Sequence, residues 1–275
     1  MRTRFAPSPT GPLHLGHAFA AILAHDMARA AGGAFLLRIE DIDRSRARPE
    51  WEAGIHDDLA WLGLTWDDPV MRQSERLQAY CAALDDLWLR GLLYPCICTR
   101  RDIEMAVSAP QEGAETPIGP DGLIYPGTCR GRMAWERTFP ESHPRPEDAT
   151  LRLEMAVAVT ANGAFEHRID GPGGGWYRYA GFRETGRGPS AGQDLIEFTP
   201  EDLTRHAGDI VLARRDMGTS YHLSVVVDDA AQGITHVTRG APLFDVTKIH
   251  LLLQRLLGLP PPVYHPPRLI RDGPG

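Results

Sequence analysis

The chain has 275 residues, a formal net charge of −7, a hydrophobic fraction of 43% and a charged fraction of 24%. That is globular composition, and it excludes disordered, collagenous and coiled-coil classes. No apolar run approaches the ~20 residues that span a bilayer, the opening MRTRFAPSPTG has no apolar leader segment, and the acidic balance argues against non-specific coating of nucleic acid.

Four cysteines are too few for a disulfide scaffold in a chain this long, which points to a reducing, cytoplasmic setting. Every basic residue except Lys248 is an arginine. Compositional bias accounts for this, and arginine also suits bidentate contacts to phosphate and carboxylate.

In chain order, residues 2–6 read as a short strand, followed by the turn Pro7-Ser8-Pro9-Thr10-Gly11. Thr10 or Gly11 is expected to cap a helix over Leu13 to Ala31, with Gly32 and Gly33 as its stop. Ala34 to Glu40 reads as a buried strand, completing a βαβ unit and implying a parallel sheet. Two amphipathic helices are expected over Trp51 to Leu64 and Ser74 to Gly91. Residues 95–150 are proline-rich and hold three of the four cysteines, as a small irregular insertion would. Leu151 to Val159 and Tyr221 to Val227 read as strands, and Gly171 to Gly192 as a mobile loop. Asp209 to Ala213 and Ile234 to Thr238 are further regular segments, and a leucine-rich helix lies near Phe244 to Leu257. The fold class is α/β.

Pro9-Thr-Gly-Pro-Leu-His14-Leu-Gly16-His17 is the most informative stretch. His14 and His17 are three apart and share a helix face. They fall in the first turn, where free N–H groups and the helix dipole attract anions. Gly16 lets a flat ring approach the backbone. A single histidine here would read as a cap or a core contact. Two flanking a glycine after a strand read as a triphosphate cradle. Cys96-Ile-Cys98 with Cys129 offers three soft ligands, and zinc wants four. His143 is an ordinary fourth ligand nearby in sequence, and the alternative for the three thiols is simple burial. Cys81 falls at helical spacing and reads as core.

Five ordered segments, RFAPSPTGPLHLGH, LRIEDIDRSR, QSERLQAY, YHLSVVVDD and GITHVTRG, resemble the glutamate-specific class I aminoacyl-tRNA synthetases over residues 2 to about 260. The resemblance implies a Rossmann-type, doubly wound parallel sheet that activates L-glutamate with ATP and Mg²⁺. It implies catalytic roles for His14 and His17, and an ATP site at Pro9, Gly11, His14, Gly16 and His17. The glutamate site would comprise Arg4, Phe5, Ala6, Pro7, Ser8, Glu40, Tyr221 and Arg239. Glu40 would meet the ammonium, Arg4 and Arg239 the carboxylates. Asp228 and Asp229 either end a strand or belong to this site. A structural Zn²⁺ would be held by Cys96, Cys98, Tyr125 and Cys129, leaving Tyr125 and His143 as rivals for the fourth position.

The implied organisation is 1–92 for the first half of the catalytic domain, 93–206 for the insertion with its zinc subdomain at about 95–150, and 207–275 for the second half. The family's longer members carry an anticodon-reading region and an asparagine where this chain has Val225. Its short members lack that region and attach glutamate to queuosine in the anticodon loop of tRNA(Asp). The chain resembles these, implying a cytoplasmic monomer with tRNA(Asp) as partner. The family's lysine-rich KMSKS-like loop is expected to begin near Pro267 to Gly275. Its absence from the sequence means either a truncated chain or a lost loop; the alternative functions are the catalytic half of a glutamate-charging synthetase and, with the loop lost, a non-catalytic binder of glutamate or tRNA.

Overall fold

Alternate burial along one strand sets the architecture. The computed structural model describes residues 1–108, 118–131, 143–169, 175–185, 194–240 and 244–266. β1 (Arg2–Phe5) pairs in parallel with β2 (Ala34–Ile39), and β3 (Asp67–Arg72) joins the other edge of β2, also in parallel. α1 (Leu15–Ala30) and α2 (Pro49–Trp61) are the crossovers. On β2, Phe35, Leu37 and Ile39 share a core with Ala21, Ala24 and Ala28 of α1 and with Ile55 and Leu59 of α2. Each large side chain so buried contributes about 1.5–3 kcal/mol. Leu36 faces the opposite way, into a larger core with Tyr80, Leu84, Leu223 and Leu252. That core is built by α3 (Leu77–Leu89), α7 (Tyr221–Ala231) and α8 (Phe244–Leu256). Helices therefore cover both faces of the sheet.

A second parallel pair lies beside β1. The Thr235 amide donates to the Arg2 carbonyl at 3.0 Å, bringing in β12 (His236–Thr238), which pairs in parallel with β13 (Val263–His265). The stretch expected as an insertion is tied into the same body. β4 (Leu93–Cys96), β7 (Thr150–Leu153) and β11 (Val211–Ala213) form an antiparallel sheet, and Leu93, Leu151 and Leu212 join the larger core. The hairpin of β5 (Ile118–Gly119) and β6 (Gly122–Leu123) precedes Cys129. β8 (Glu166–Ile169), β9 (Trp176–Arg183) and β10 (Leu195–Phe198) make a further antiparallel sheet. Among the described residues no helix is long and apolar enough to cross a membrane.

Several expectations change. Tyr221 to Val227 is helical, capped by Ser220, whose hydroxyl accepts from the Leu223 amide. Burial of His222, Leu223, Ser224, Val225 and Val226 overrides the strand preference of the valines. The strand from Leu151 ends at Leu153, and Met155–Ala158 is helical (α5). The expected mobile loop contains β9, while its segments 171–174 and 186–192 lie outside the described residues, as does the 267–275 terminus. α1 is capped by His14, not by Thr10 or Gly11. Gly32, at φ +59°, terminates it as the sequence predicts.

Candidate active site

The site forms at the C-terminal ends of β1 and β2. There the Glu40 amide donates to the Pro7 carbonyl at 2.9 Å and the Arg48 amide to the Pro9 carbonyl at 3.0 Å. These bonds clamp the Pro7–Gly11 turn beside β2. Phe5 is a core residue. Ser8, Thr10, Glu40 and Tyr221 line one cavity of about 860 Å³, which extends to Cys98 and Tyr125. His14, His17, Arg4 and Arg239 are not part of its lining.

The two imidazoles form a stacked pair at the start of α1. Their centroids are 3.8 Å apart at 24°. His14 Nδ1 accepts from the Gly16 amide (3.1 Å), and His17 Nδ1 accepts from the His14 amide (3.3 Å). An accepting Nδ1 leaves the proton of a neutral ring on Nε2. Burial and the adjacent His14 lower the His17 pKa, which favours that neutral form. Each ring thus offers one Nε2–H donor. A Cβ at Gly16 would sit 3.0 Å from His14 Cε1, so the ring's position depends on that glycine.

The polar face of β2 carries the electrostatics. Arg38 is fully buried and donates to Glu40 Oε1 (3.1 Å) and Asp229 Oδ1 (2.6 Å). Arg4 donates to both oxygens of Asp229 (3.1 and 3.3 Å) and to the Thr238 carbonyl. Burial raises the Glu40 pKa against the pull of Arg38 and Arg4. Burial also opposes ionisation of Asp229, but Arg4 and Arg38 outweigh it and hold its pKa below the ordinary value. Burial, then the Glu40 charge, pushes Tyr221 up to about 12, so its hydroxyl stays protonated. Arg239 donates through Nη1 to His250, and its buried Nη2 has no partner among the described residues. Of the two aspartates left open by the sequence, Asp229 carries this network. Asp228 instead ties Gln73, Arg76 and Tyr80 together.

Arg38, His222 and His250 were missed by sequence reasoning. Arg38 did leave a signal: a charge inside AFLLRIE, two residues before Glu40 and on the same strand face. The histidines left none. Tyr221 and Val225 stand one helical turn apart, and Val225 is buried.

Cys96, Cys98 and Cys129 gather with all three sulfurs within 4.8 Å, the only such group of His, Cys, Asp and Glu ligands among the described residues. The Cys98–Cys129 sulfur separation is 3.5 Å, close to the roughly 3.8 Å of tetrahedral zinc thiolates. The Tyr125 oxygen lies 3.5 and 3.4 Å from the Cys96 and Cys98 sulfurs and accepts the Cys129 amide at 2.8 Å. Arg152 stacks on its ring at 3.9 Å. Burial opposes the Cys129 thiolate, but hydrogen bonds from Tyr125 and the Ile97 amide lower it to about 7. His143 is not in this group, and its carbonyl accepts from the Trp88 indole.

The sequence matches the family described as tRNA synthetases class I (E and Q), catalytic domain, over residues 1–159 and 190–272. It is 61% identical to a glutamyl-Q tRNA(Asp) synthetase of Rhodobacter capsulatus, over all of this chain and 89% of that protein. A protein of the same name from Nitratidesulfovibrio vulgaris is 41% identical, over 98% of this chain and 75% of its own length. Among solved structures, a glutamate tRNA ligase of Elizabethkingia meningosepticum in complex with its amino acid superposes with TM-score 0.70 at 26% identity. A glutamate-tRNA synthetase of Elizabethkingia anophelis gives 0.71, also at 26%. The chain spans about half the length of these two proteins, 51% in each case.

Proposed function

The chain belongs to the class I tRNA synthetases of the glutamate and glutamine type, and from that premise we propose that it activates L-glutamate with ATP and transfers it to queuosine in tRNA(Asp). One observation carries the amino-acid half. Around Glu40 and Tyr221 the chain gathers both signs of charge, with one buried guanidinium nitrogen of Arg239 lacking a partner among the described residues. Glutamate has one ammonium and two carboxylates, so its site needs both signs. Glu40 takes the ammonium and Arg239 a carboxylate, with Tyr221 donating beside them. Arg4 adds positive charge, while its N–H groups stay on Asp229 and the Thr238 carbonyl.

In the first step the α-carboxylate attacks the α-phosphorus of ATP in line. The bond to the bridging oxygen breaks, giving glutamyl-adenylate and pyrophosphate. Pro9, Gly11 and Gly16 shape the ATP side. The Nε2–H groups of His14 and His17 donate to phosphate oxygens as charge builds, and Mg²⁺ accompanies the nucleotide. In the second step a hydroxyl of the modified base attacks the activated carboxyl carbon. An ester forms and AMP leaves.

Cys96, Cys98, Cys129 and Tyr125 fit a structural zinc ion, which would pin the β4 end to the 125–129 loop beside the cavity. Tyr125 supports the fourth position better than His143 does, because its oxygen lies 3.5 and 3.4 Å from the Cys96 and Cys98 sulfurs while His143 is not in the group. We place the protein in the cytoplasm with its tRNA substrate.

Glutamate-dependent exchange of pyrophosphate into ATP without tRNA tests activation. Transfer of labelled glutamate to tRNA(Asp) with and without queuosine tests the acceptor. No exchange overturns the first half. Charging of the 3′ end of tRNA(Glu) in place of queuosine overturns the second.

A further inference from the structure

The glutamate reading leaves open what fixes Arg239, since among the described residues it makes no ion pair. Its described hydrogen-bond partner is a histidine. Arg239 Nη1 lies 3.3 Å from His250 Nδ1, His250 Nε2 lies 3.3 Å from His222 Nδ1, and His222 Nε2 lies 2.7 Å from Asp121 Oδ2. Both histidines are buried, on α7 and α8, and Asp121 sits at the turn of the β5–β6 hairpin.

The direction of this chain follows from donor chemistry. A guanidinium only donates, so His250 Nδ1 must hold a lone pair. The His250 proton is then on Nε2 and is given to His222 Nδ1. The His222 proton is in turn on Nε2 and is given to the Asp121 carboxylate. Both rings are neutral, and each tautomer is set by its neighbour. Burial and the charges of Arg239, His222 and Arg4 keep His250 well below its ordinary pKa, in agreement.

We infer that His250, seated on His222 and Asp121, is a positioning residue that aims Arg239 at the substrate carboxylate without neutralising it. An aspartate or glutamate in that place would fix the guanidinium equally well, but it would also compete with glutamate for the charge. A neutral imidazole accepts one N–H and leaves the charge, with Nη2, for the ligand. The Arg239 guanidinium also lies 4.5 Å over the Tyr264 ring, a second uncharged support.

The inference rests on the assignment of Arg239 to glutamate, and the experiments separate the two. Ring-nitrogen NMR of the unmodified chain, labelled at histidine, should show His250 as a neutral Nε2–H tautomer from about pH 6 to 8. Protonation of His250, or an Nδ1–H tautomer, overturns the relay. Calorimetry on His250→Leu should show L-glutamate bound about tenfold or more weakly, as expected for the loss of a partner to a charged group. Affinity for a non-hydrolysable ATP analogue should stay within about twofold. His250→Gln, which can still accept from Arg239 and donate to His222, should restore glutamate affinity. Unchanged glutamate affinity in His250→Leu, with Arg239→Ala abolishing it, overturns the positioning role. Unchanged affinity in Arg239→Ala overturns the glutamate assignment and the role with it.

Discussion

Glu40, half-buried at the cavity, and Asp229, buried, are carboxylates near the same guanidinium with opposite pKa shifts. Asp229 is held by Arg4 and Arg38 together, and their attraction exceeds its burial penalty. Glu40 is hydrogen-bonded to Arg38 at 3.1 Å and feels Arg4 only through its charge, and burial wins. The consequences differ in sign. A depressed carboxyl pKa stabilises the fold above the unfolded value of about 3.9 and loses that contribution as pH falls through the folded value. Asp229→Ala leaves two buried guanidinium groups without their shared anion, so chemical denaturation at neutral pH should show a loss of about 3–5 kcal/mol. A raised carboxyl pKa works the other way, and ionised Glu40 disfavours folding as pH rises through the unfolded value of about 4.3. Glu40→Gln should therefore leave thermal stability at neutral pH undiminished, while weakening L-glutamate binding about 100-fold through loss of the ammonium's counter-charge. In the unmodified protein the acid limb of glutamate binding should lie above about pH 4.3, because Glu40 must be ionised to bind.

The start of α1 joins two roles in one element. His14 and His17 satisfy amides of the first turn, and in doing so expose Nε2–H donors at the positive end of the helix dipole. On the proposed reading, cap and phosphate cradle are thus the same pair of side chains. Gly16→Ala separates them. Alanine gains about 1 kcal/mol of helix propensity over glycine, and displacement of the His14 ring forfeits about 1 kcal/mol of capping. Denaturation should show a net change under about 1 kcal/mol, while pyrophosphate exchange falls at least about tenfold because one phosphate donor has moved. The position of this helix was legible from GPLHLGH and its glycine stop. Its cap was not, because Thr10 and Gly11 are better caps by propensity and only the stacked geometry selects His14. α7 is the sharper case. YHLSVVV carries strand-forming residues, yet burial of five consecutive residues makes it a helix, and that helix puts Tyr221 beside the cavity and Asp229 under Arg4.

Across the molecule, the parallel sheet and the cysteine cluster are mechanically joined. β4 ends at Cys96, pairs with β7, and shares a core with the helices behind the cavity. Zinc binding would therefore support the cavity wall at Cys98 and Tyr125, not a detached module. Elemental analysis should find about one zinc per chain. Cys129→Ser should lower that ratio and the melting temperature together, by about 4 °C or more if 2 kcal/mol of metal-linked stability is lost. A metal ratio near zero in the unmodified protein would remove the site.

The sequence by itself determined the α/β class, the first βαβ unit and the glycine stops. These follow from local periodicity, turn chemistry and motif spacing, which act over a few residues. Only the tertiary structure decided which partner each charge takes. Arg4 and Arg38 reach Asp229 across more than 190 positions, Arg239 rests on His250, and His222 of α7 meets Asp121 in a hairpin 101 residues earlier. A buried charge is held by whichever counter-group the packed core brings within hydrogen-bond reach, and no local pattern encodes that.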